Sequence, residues 1–103
     1  MKENKLRSYF GFAIKSGKTL FGYDKLFEKR VIPKLVIICS TLSEKNSSKV
    51  IDFCSNLGVK YIKLDSYVLG ELIQRDNWKV IGICDDNFSK VICHEIDLLN
   101  GNQ

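Results

Sequence analysis

Two uninterrupted apolar segments constrain the fold of this chain more than any other feature. They are "KLVIICS", residues 34–40, and "KVIGIC", residues 79–84. An apolar run of this kind is typical of a strand buried on both faces, because its side chains alternate between the two sides of a sheet. Helices must then cover both faces. The sequence therefore predicts an α/β fold in the form of a three-layer α/β/α sandwich.

The segments around these strands alternate between helix and strand signals. Apolar residues recur at helical spacing in residues 3–16, 23–32, 41–58, 67–75 and 87–100. Shorter strand signals lie at residues 18–22 and 59–64, the second with lysines as at a sheet edge. We expect Val31 and Leu57 to face the core. The order of the strands stays open.

Local signals mark several helix ends. Thr41 and Glu44 have the spacing of a capping box at the start of the third helix. Gly17 and Gly58 are placed to end the first and third helices. Asp85 or Asp86 can cap the last one. These signals predict where helices begin and end, but not how they pack.

Length and composition describe an ordinary globular chain. With 103 residues, of which 45% are hydrophobic and 27% charged, the chain can bury one core and not two. We expect a single domain over residues 1–103. No apolar run approaches the roughly 18 residues of a membrane span, and the N-terminus does not resemble a signal peptide. A cytoplasmic location is the resulting expectation, with no membrane partner.

The cysteines do not form a metal-binding pattern. Cys39, Cys54, Cys84 and Cys93 are far apart in sequence, and His94 is the only histidine. Structural zinc sites usually present close pairs of ligands, whereas cysteine in an apolar run behaves as a small buried hydrophobe. We expect buried free thiols, no metal and no cofactor. No catalytic spacing of Cys, His, Ser or carboxylates is present either, so we expect no enzyme.

Positive charge is concentrated in the first third of the chain. Residues 1–34 carry nine Lys/Arg and three acids, a balance of +6, whereas residues 35–103 carry seven Lys/Arg and nine acids, a balance of −2. Such a division favours a polyanionic partner at one end of the molecule. A solvated lysine-rich face without a partner would look the same.

The "GKT" at residues 17–19 is not a nucleotide-binding loop. That loop needs four residues between its glycines, but Gly11 and Gly17 are separated by five. The predicted order, helix before and strand after, is also the reverse of what the loop requires. The glycines of this region need another explanation.

The ordered motifs supply one. Gly17-Lys18 and Gly22-Tyr23 are followed by a basic helix, "KLVIIC", a capped helix, "LGVKYIKL", "VLGELIQRD" and "KVIGICDDNFSKVI". This set resembles the ribosomal-protein family that binds kink-turn RNA (the archaeal "L seven Ae" and eukaryotic "L thirty e" type), in particular its small bacterial YlxQ-like branch. The resemblance implies a mixed four-stranded sheet. It also implies a non-enzymatic, ribosomal-type protein that recognises structured RNA, either ribosomal RNA or a kink-turn, with the ribosome as a candidate assembly and no DNA partner.

The resemblance also implies an RNA-binding end of the molecule. It is formed by the glycine turn before the second helix, the N-terminus of that helix and the loop leading into the fourth. The implied RNA-binding residues are Gly17, Lys18, Gly22, Tyr23, Asp24, Lys25, Lys29, Leu69, Gly70 and Arg75. A glycine lets a nucleic-acid backbone come close, and we expect the cations to gather around it. Gly17 and Gly22 would serve equally well as plain turn residues.

Three positions of the predicted second helix depart from the family pattern. Asp24 stands where kink-turn binders have asparagine, Lys25 where they have glutamate, and Glu28 where they have lysine. Asp24 can accept a hydrogen bond from a guanine edge but cannot donate one as an amide does. These departures support an alternative function, a protein-interaction module on the same fold that has lost kink-turn specificity.

Overall fold

The computed structural model describes residues 2–28, 31–64 and 79–99, and within these ranges it contains four helices and four strands. In chain order they are α1 Lys2–Lys15, β1 Thr19–Phe21, α2 Tyr23–Phe27, β2 Leu35–Cys39, α3 Glu44–Leu57, β3 Lys60–Leu64, β4 Val80–Ile83 and α4 Asp86–Leu99. None of these helices is long and apolar enough to cross a membrane. The helix predicted over residues 67–75 lies outside the described residues.

The four strands form one mixed sheet in the order β1-β4-β2-β3. β2 pairs with β3 in parallel, whereas β4 runs antiparallel to both β1 and β2. The two uninterrupted apolar segments therefore become the two central strands, and every residue of β2 and β4 is buried. β3 is an edge strand with mostly exposed side chains, as its lysines predicted. The mixed four-stranded sheet implied by the resemblance is confirmed.

Helices cover both faces of the sheet, which confirms the three-layer α/β/α sandwich. Along β2, Leu35 and Ile37 point to one face, and Val36 and Ile38 to the other, as the period of a strand requires. The first face packs against α1 and α4, with a core of Leu6, Phe10, Leu35, Ile37, Cys39, Leu64, Ile81, Ile83, Ile92 and Ile96. The second packs against α2 and α3, with a core of Leu26, Val36, Ile38, Val50, Phe53, Cys54 and Val80.

The second helix is shorter than its sequence predicted. α2 ends at Phe27 with Glu28 as its C-cap, and Val31 and Ile32 are not helical. The prediction that Val31 faces the core is wrong, since half of its surface is exposed. Pro33 disfavours helical backbone at Ile32, and β-branched residues are weak helix formers, so this segment turns toward β2 instead.

The third helix begins two residues later than the capping-box pattern predicted. Ser43 is the N-cap, and its Oγ accepts a hydrogen bond from the Asn46 amide at 3.2 Å. The Thr41 hydroxyl instead lies 3.0 Å from the Cys39 Sγ. The helix ends, as predicted, at Gly58 in a left-handed conformation with φ 68°. Leu57, expected in the core, is 39% exposed.

The cysteines are all free, but only two of them are buried. Cys39 and Cys54 lie in the core, which confirms the prediction for these two. Cys84 and Cys93 are half-buried, so the expectation of full burial is wrong for them. Cys84 follows the last residue of β4, and Cys93 lies on α4, where part of the side chain reaches the surface.

Candidate functional site

Three strands end and one begins at the same end of the sheet, which we call the α2 end. Three backbone hydrogen bonds join the strands at this end. The Gly22 amide donates to the Val80 carbonyl at 2.8 Å, and the Cys39 amide donates to the Lys79 carbonyl at 2.7 Å. The Ser40 amide donates to the Leu64 carbonyl at 2.9 Å. The C-terminal ends of β1, β2 and β3 thereby lie together with the start of β4.

Gly22 has an unusual backbone conformation at the α2 end. Its φ of 85° and ψ of 151° lie in a region that L-residues with a side chain rarely adopt. It is the N-cap of α2 and makes no side-chain capping bond. The position therefore requires glycine, and the missing side chain leaves room for another molecule's backbone to approach.

A close contact with the sheet fixes the position of α2. Leu26 is fully buried, and a Cβ built on Gly82 of β4 would lie 2.9 Å from the Leu26 Cδ2 and 3.2 Å from the Pro33 Cβ. The next residue, Phe27, packs on Phe53 of α3 with ring centroids 5.4 Å apart. These contacts hold the inner side of the short helix, which leaves Asp24 and Lys25 exposed to solvent.

The helix ends at this site differ in what they can offer an anion. α2 has five residues, barely more than one turn, so few peptide dipoles add along its axis. α3 has 14 residues and also begins at the α2 end, next to the β2 terminus. The start of α2 therefore offers an anion little beyond the lysine beside it, and the start of α3 carries the acidic Glu44 in its first turn.

Two lysines that the sequence analysis did not select join Lys25 at this end. Lys79 precedes β4, Lys63 is the fourth residue of β3, and both side chains are exposed. Exposed carboxylates of Asp24 and Glu44 lie at the same end. Nothing in the sequence brings Lys79 near residue 22, because the pairing of β1 with β4 decides it. The surface is thus cationic, with acceptors interspersed.

A small cavity of about 170 Å³ lies at the α2 end between the end of β3 and the start of α3. It is lined by Cys39, Ser40, Leu42, Glu44, Ser47 and Lys63. The Ser47 Oγ is buried and has no hydrogen-bond partner. A buried hydroxyl without a partner is uncommon in native proteins. Ser47 thus contributes a buried hydroxyl without a partner to the wall of this cavity.

The structure separates the predicted RNA-binding residues into two groups. Gly22, Asp24 and Lys25 lie at the α2 end, as does the backbone of Tyr23. Gly17 and Lys18 lie at the opposite end of β1, where the Lys18 carbonyl accepts a bond from the Cys84 amide at 2.8 Å. Four strand residues span about 13 Å, so the expected gathering of Lys18 with Lys25 around Gly22 is not met. The remaining predicted residues, Lys29, Leu69, Gly70 and Arg75, lie outside the described residues.

A family model matches this chain over residues 4–93, that of the ribosomal protein L7Ae/L30e/S12e/Gadd45 family. The chain belongs to this family. The resemblance stated from the motifs is thereby confirmed. Family membership suggests an RNA-binding protein of the ribosomal type, in a family that is generally non-enzymatic.

A solved structure supports the same fold. The chain is similar to a protein of unknown function from Bacillus halodurans, with 26% sequence identity and a TM-score of 0.77. The similarity covers 90% of this chain and 97% of the other. No curated protein matches the sequence. The two chains therefore share one fold over nearly all of their lengths.

Proposed function

We propose that this protein binds structured RNA through the α2 end of its sheet and catalyses no reaction. The observation that carries the proposal is the family match over residues 4–93, which includes every described element of that end. The RNA is a kink-turn or a segment of ribosomal RNA, and the protein acts in the cytoplasm as part of, or together with, the ribosome.

The chemistry of the α2 end fits phosphate groups. Lys25, Lys63 and Lys79 offer ammonium groups from three different elements, so they can contact several phosphates of a folded strand. Gly22 leaves its backbone uncovered between them. The start of α3 adds backbone amides to the same surface. Contacts of this kind fix the position of RNA without reading its sequence.

Recognition of particular nucleotides rests on different groups. The Asp24 carboxylate can accept hydrogen bonds from a guanine edge, and the Ser47 hydroxyl can donate one inside the cavity beside α3. Unstacked bases of loops and bulges present such groups, whereas bases inside an RNA helix do not. An RNA with splayed nucleotides is therefore the ligand that this surface fits best.

The test is RNA affinity measured across a salt series. Fluorescence anisotropy with a labelled kink-turn RNA, a ribosomal RNA fragment and a plain duplex would give the logarithmic salt slope for each. We expect Lys25→Gln and Lys79→Gln each to lower the slope by about 1, since each removes one phosphate contact. Ser47→Ala should weaken binding to the RNAs with splayed bases and leave the slope unchanged.

Lys18→Gln is the matched control, because it removes the same charge from the opposite end of β1. We expect its slope to equal that of the unaltered protein. The assignment to the α2 end would be overturned if Lys18→Gln lowered the salt slope and Lys25→Gln left it unchanged. Absence of salt-dependent binding to all three RNAs would overturn the function itself, and would favour a protein-interaction module on the same fold.

A further inference from the structure

A second cavity, of about 310 Å³, lies at the end of the sheet opposite the α2 end. It is lined by Lys34, Leu35, Lys60, Ser89, Lys90 and Cys93. Lys34 directly precedes β2, and Lys60 is the first residue of β3. The other polar groups come from α4. Leu35 is fully buried and forms part of the apolar floor. Three lysines thus line the same cavity as one thiol.

Lys60 and Cys93 both line this cavity. A hydrogen bond to the Cys93 sulfur and, after it, the negative charge of that sulfur as a thiolate raise the pKa of Lys60 above its usual value. Asp97, one turn further along α4, adds a smaller effect in the same direction. The lysine therefore remains protonated beside the sulfur throughout the physiological pH range.

The other thiols lack this environment. Cys39 and Cys54 are buried in the core, and burial raises the pKa of Cys54 to about 11. Burial also raises the pKa of Cys84, with a smaller opposing effect from Lys18. Of the two cavities described here, Cys93 shares one with three lysines, whereas the buried Cys39 shares the other with one, Lys63. Reaction with an external molecule is therefore favoured at Cys93.

We propose that Cys93 is a modification site, at which the thiol exchanges with small anionic disulfides of the peptide-thiol class. The cavity has the size of the smallest ligand pockets, which suits a compound of this kind and not a protein. The three lysines concentrate an anionic reagent beside the sulfur. Asp86 offsets part of this charge, since its carboxylate lies 4.0 Å from the Lys34 ammonium, but both side chains are largely exposed.

The reaction is a thiol–disulfide exchange. Cys93 loses its proton to solvent, and the thiolate attacks one sulfur of the reagent. A new S–S bond forms to Cys93 as the S–S bond of the reagent breaks, and the other half leaves as a thiolate with the electron pair. The negative charge is spread over the three sulfurs in the transition state and ends on the leaving thiolate. A thiol reductant reverses the modification.

The test compares disulfides of different charge on the purified full-length protein. The probes are dithiobis(nitrobenzoate) and oxidised glutathione, both anionic, neutral dithiodipyridine, and cationic cystamine. Modification rates at each cysteine would be followed by mass spectrometry of the intact protein and its peptides. We expect Cys93 to react first with both anionic reagents, and Cys93→Ser to abolish that reaction.

Charge variants test whether the reactivity of Cys93 depends on the neighbouring lysines or only on the exposure of its thiol. Lys60→Gln should slow the anionic reagents at Cys93 about three- to tenfold and change the neutral reagent less than about twofold. With cystamine the same variant should raise the rate. Lys49→Gln is the control, because Lys49 is an exposed lysine of α3 on the other face of the sheet. The proposal is overturned if Cys84 reacts as fast as Cys93, or if Lys60→Gln and Lys49→Gln behave alike.

Discussion

The amide of Gly22 donates a hydrogen bond to the carbonyl of Val80 at 2.8 Å, and this bond joins the turn before α2 to the start of β4. The two residues are far apart in the chain but adjacent at the α2 end. Because Gly22 has φ 85° and ψ 151°, the turn that carries Asp24 and Lys25 depends on a backbone conformation that only glycine adopts readily.

Replacement of Gly22 by alanine should therefore be costly. We expect Gly22→Ala to lower the free energy of unfolding by about 2–3 kcal/mol. Gly58→Ala is the comparison, because Gly58 has φ 68° and ψ 29°, a left-handed conformation that alanine tolerates at about 1–2 kcal/mol. Urea denaturation of both variants would check the order. Equal losses, or a larger loss for Gly58→Ala, would contradict the strain assigned to Gly22.

Gly82 should be sensitive for a steric reason. A Cβ at this position would lie 2.9 Å from the Leu26 Cδ2 and 3.2 Å from the Pro33 Cβ, and Leu26 has no free space because it is fully buried. We expect Gly82→Ala to destabilise the protein by about 1–3 kcal/mol. Gly11→Ala, in the interior of α1 with nothing within 4 Å of the added Cβ, should instead stabilise by about 0.5–1 kcal/mol. Thermal and urea unfolding measure both, and a stable Gly82→Ala protein would refute the packing assigned to α2.

Two serines at the start of α3 should respond oppositely to removal of the hydroxyl. Ser43→Ala removes the N-cap bond to the Asn46 amide and should cost about 1 kcal/mol. The Ser47 hydroxyl has no partner, so Ser47→Ala should leave the free energy of unfolding nearly unchanged or raise it. The measurement is equilibrium unfolding at neutral pH. A loss of about 1 kcal/mol for Ser47→Ala would show that its hydroxyl is bonded after all.

Cys54 should make stability fall in alkaline solution. Burial raises the pKa of its thiol from 9.0 to about 11, so between these values the unfolded chain loses the proton and the folded chain keeps it. The free energy of unfolding should then decrease as pH rises from 9 toward 11, at most by about 1.4 kcal/mol per pH unit. Cys54→Ala should lack this contribution, so its unfolding curve should depend less steeply on pH. Parallel pH dependences for the two proteins would contradict the shift.

Local patterns in the sequence predicted most of the secondary structure correctly. The runs at residues 34–40 and 79–84 became the two central strands, because such runs are stable only with both faces covered. Gly58 ended α3, and the Asp85 Oδ2 accepts a bond from the Phe88 amide at the start of α4. The errors lay at helix ends: α3 begins two residues later than predicted, where Ser43 and not Thr41 is the N-cap, and α2 ends five residues earlier, at Phe27.

The candidate site needed more than local patterns. Motif order and charge identified Gly22, Asp24 and Lys25, because the turn and the helix that follow β1 are contiguous in sequence. Lys63 and Lys79 were missed, and Lys18 was grouped with Lys25, because these relationships depend on which strands are neighbours. The sequence did not predict that lysines share a cavity with Cys93, for the same reason.

The sequence by itself determined the family, the layers of the sandwich and the residues of each strand, since these follow from periodicity and motif order. Only the tertiary structure decided which end of the sheet each lysine occupies. β4 is inserted antiparallel between β1 and β2, which brings Lys79 to Gly22 and places Lys18 beside Cys84. Hydrogen bonds between distant strands fix that order, and no short stretch of residues encodes it.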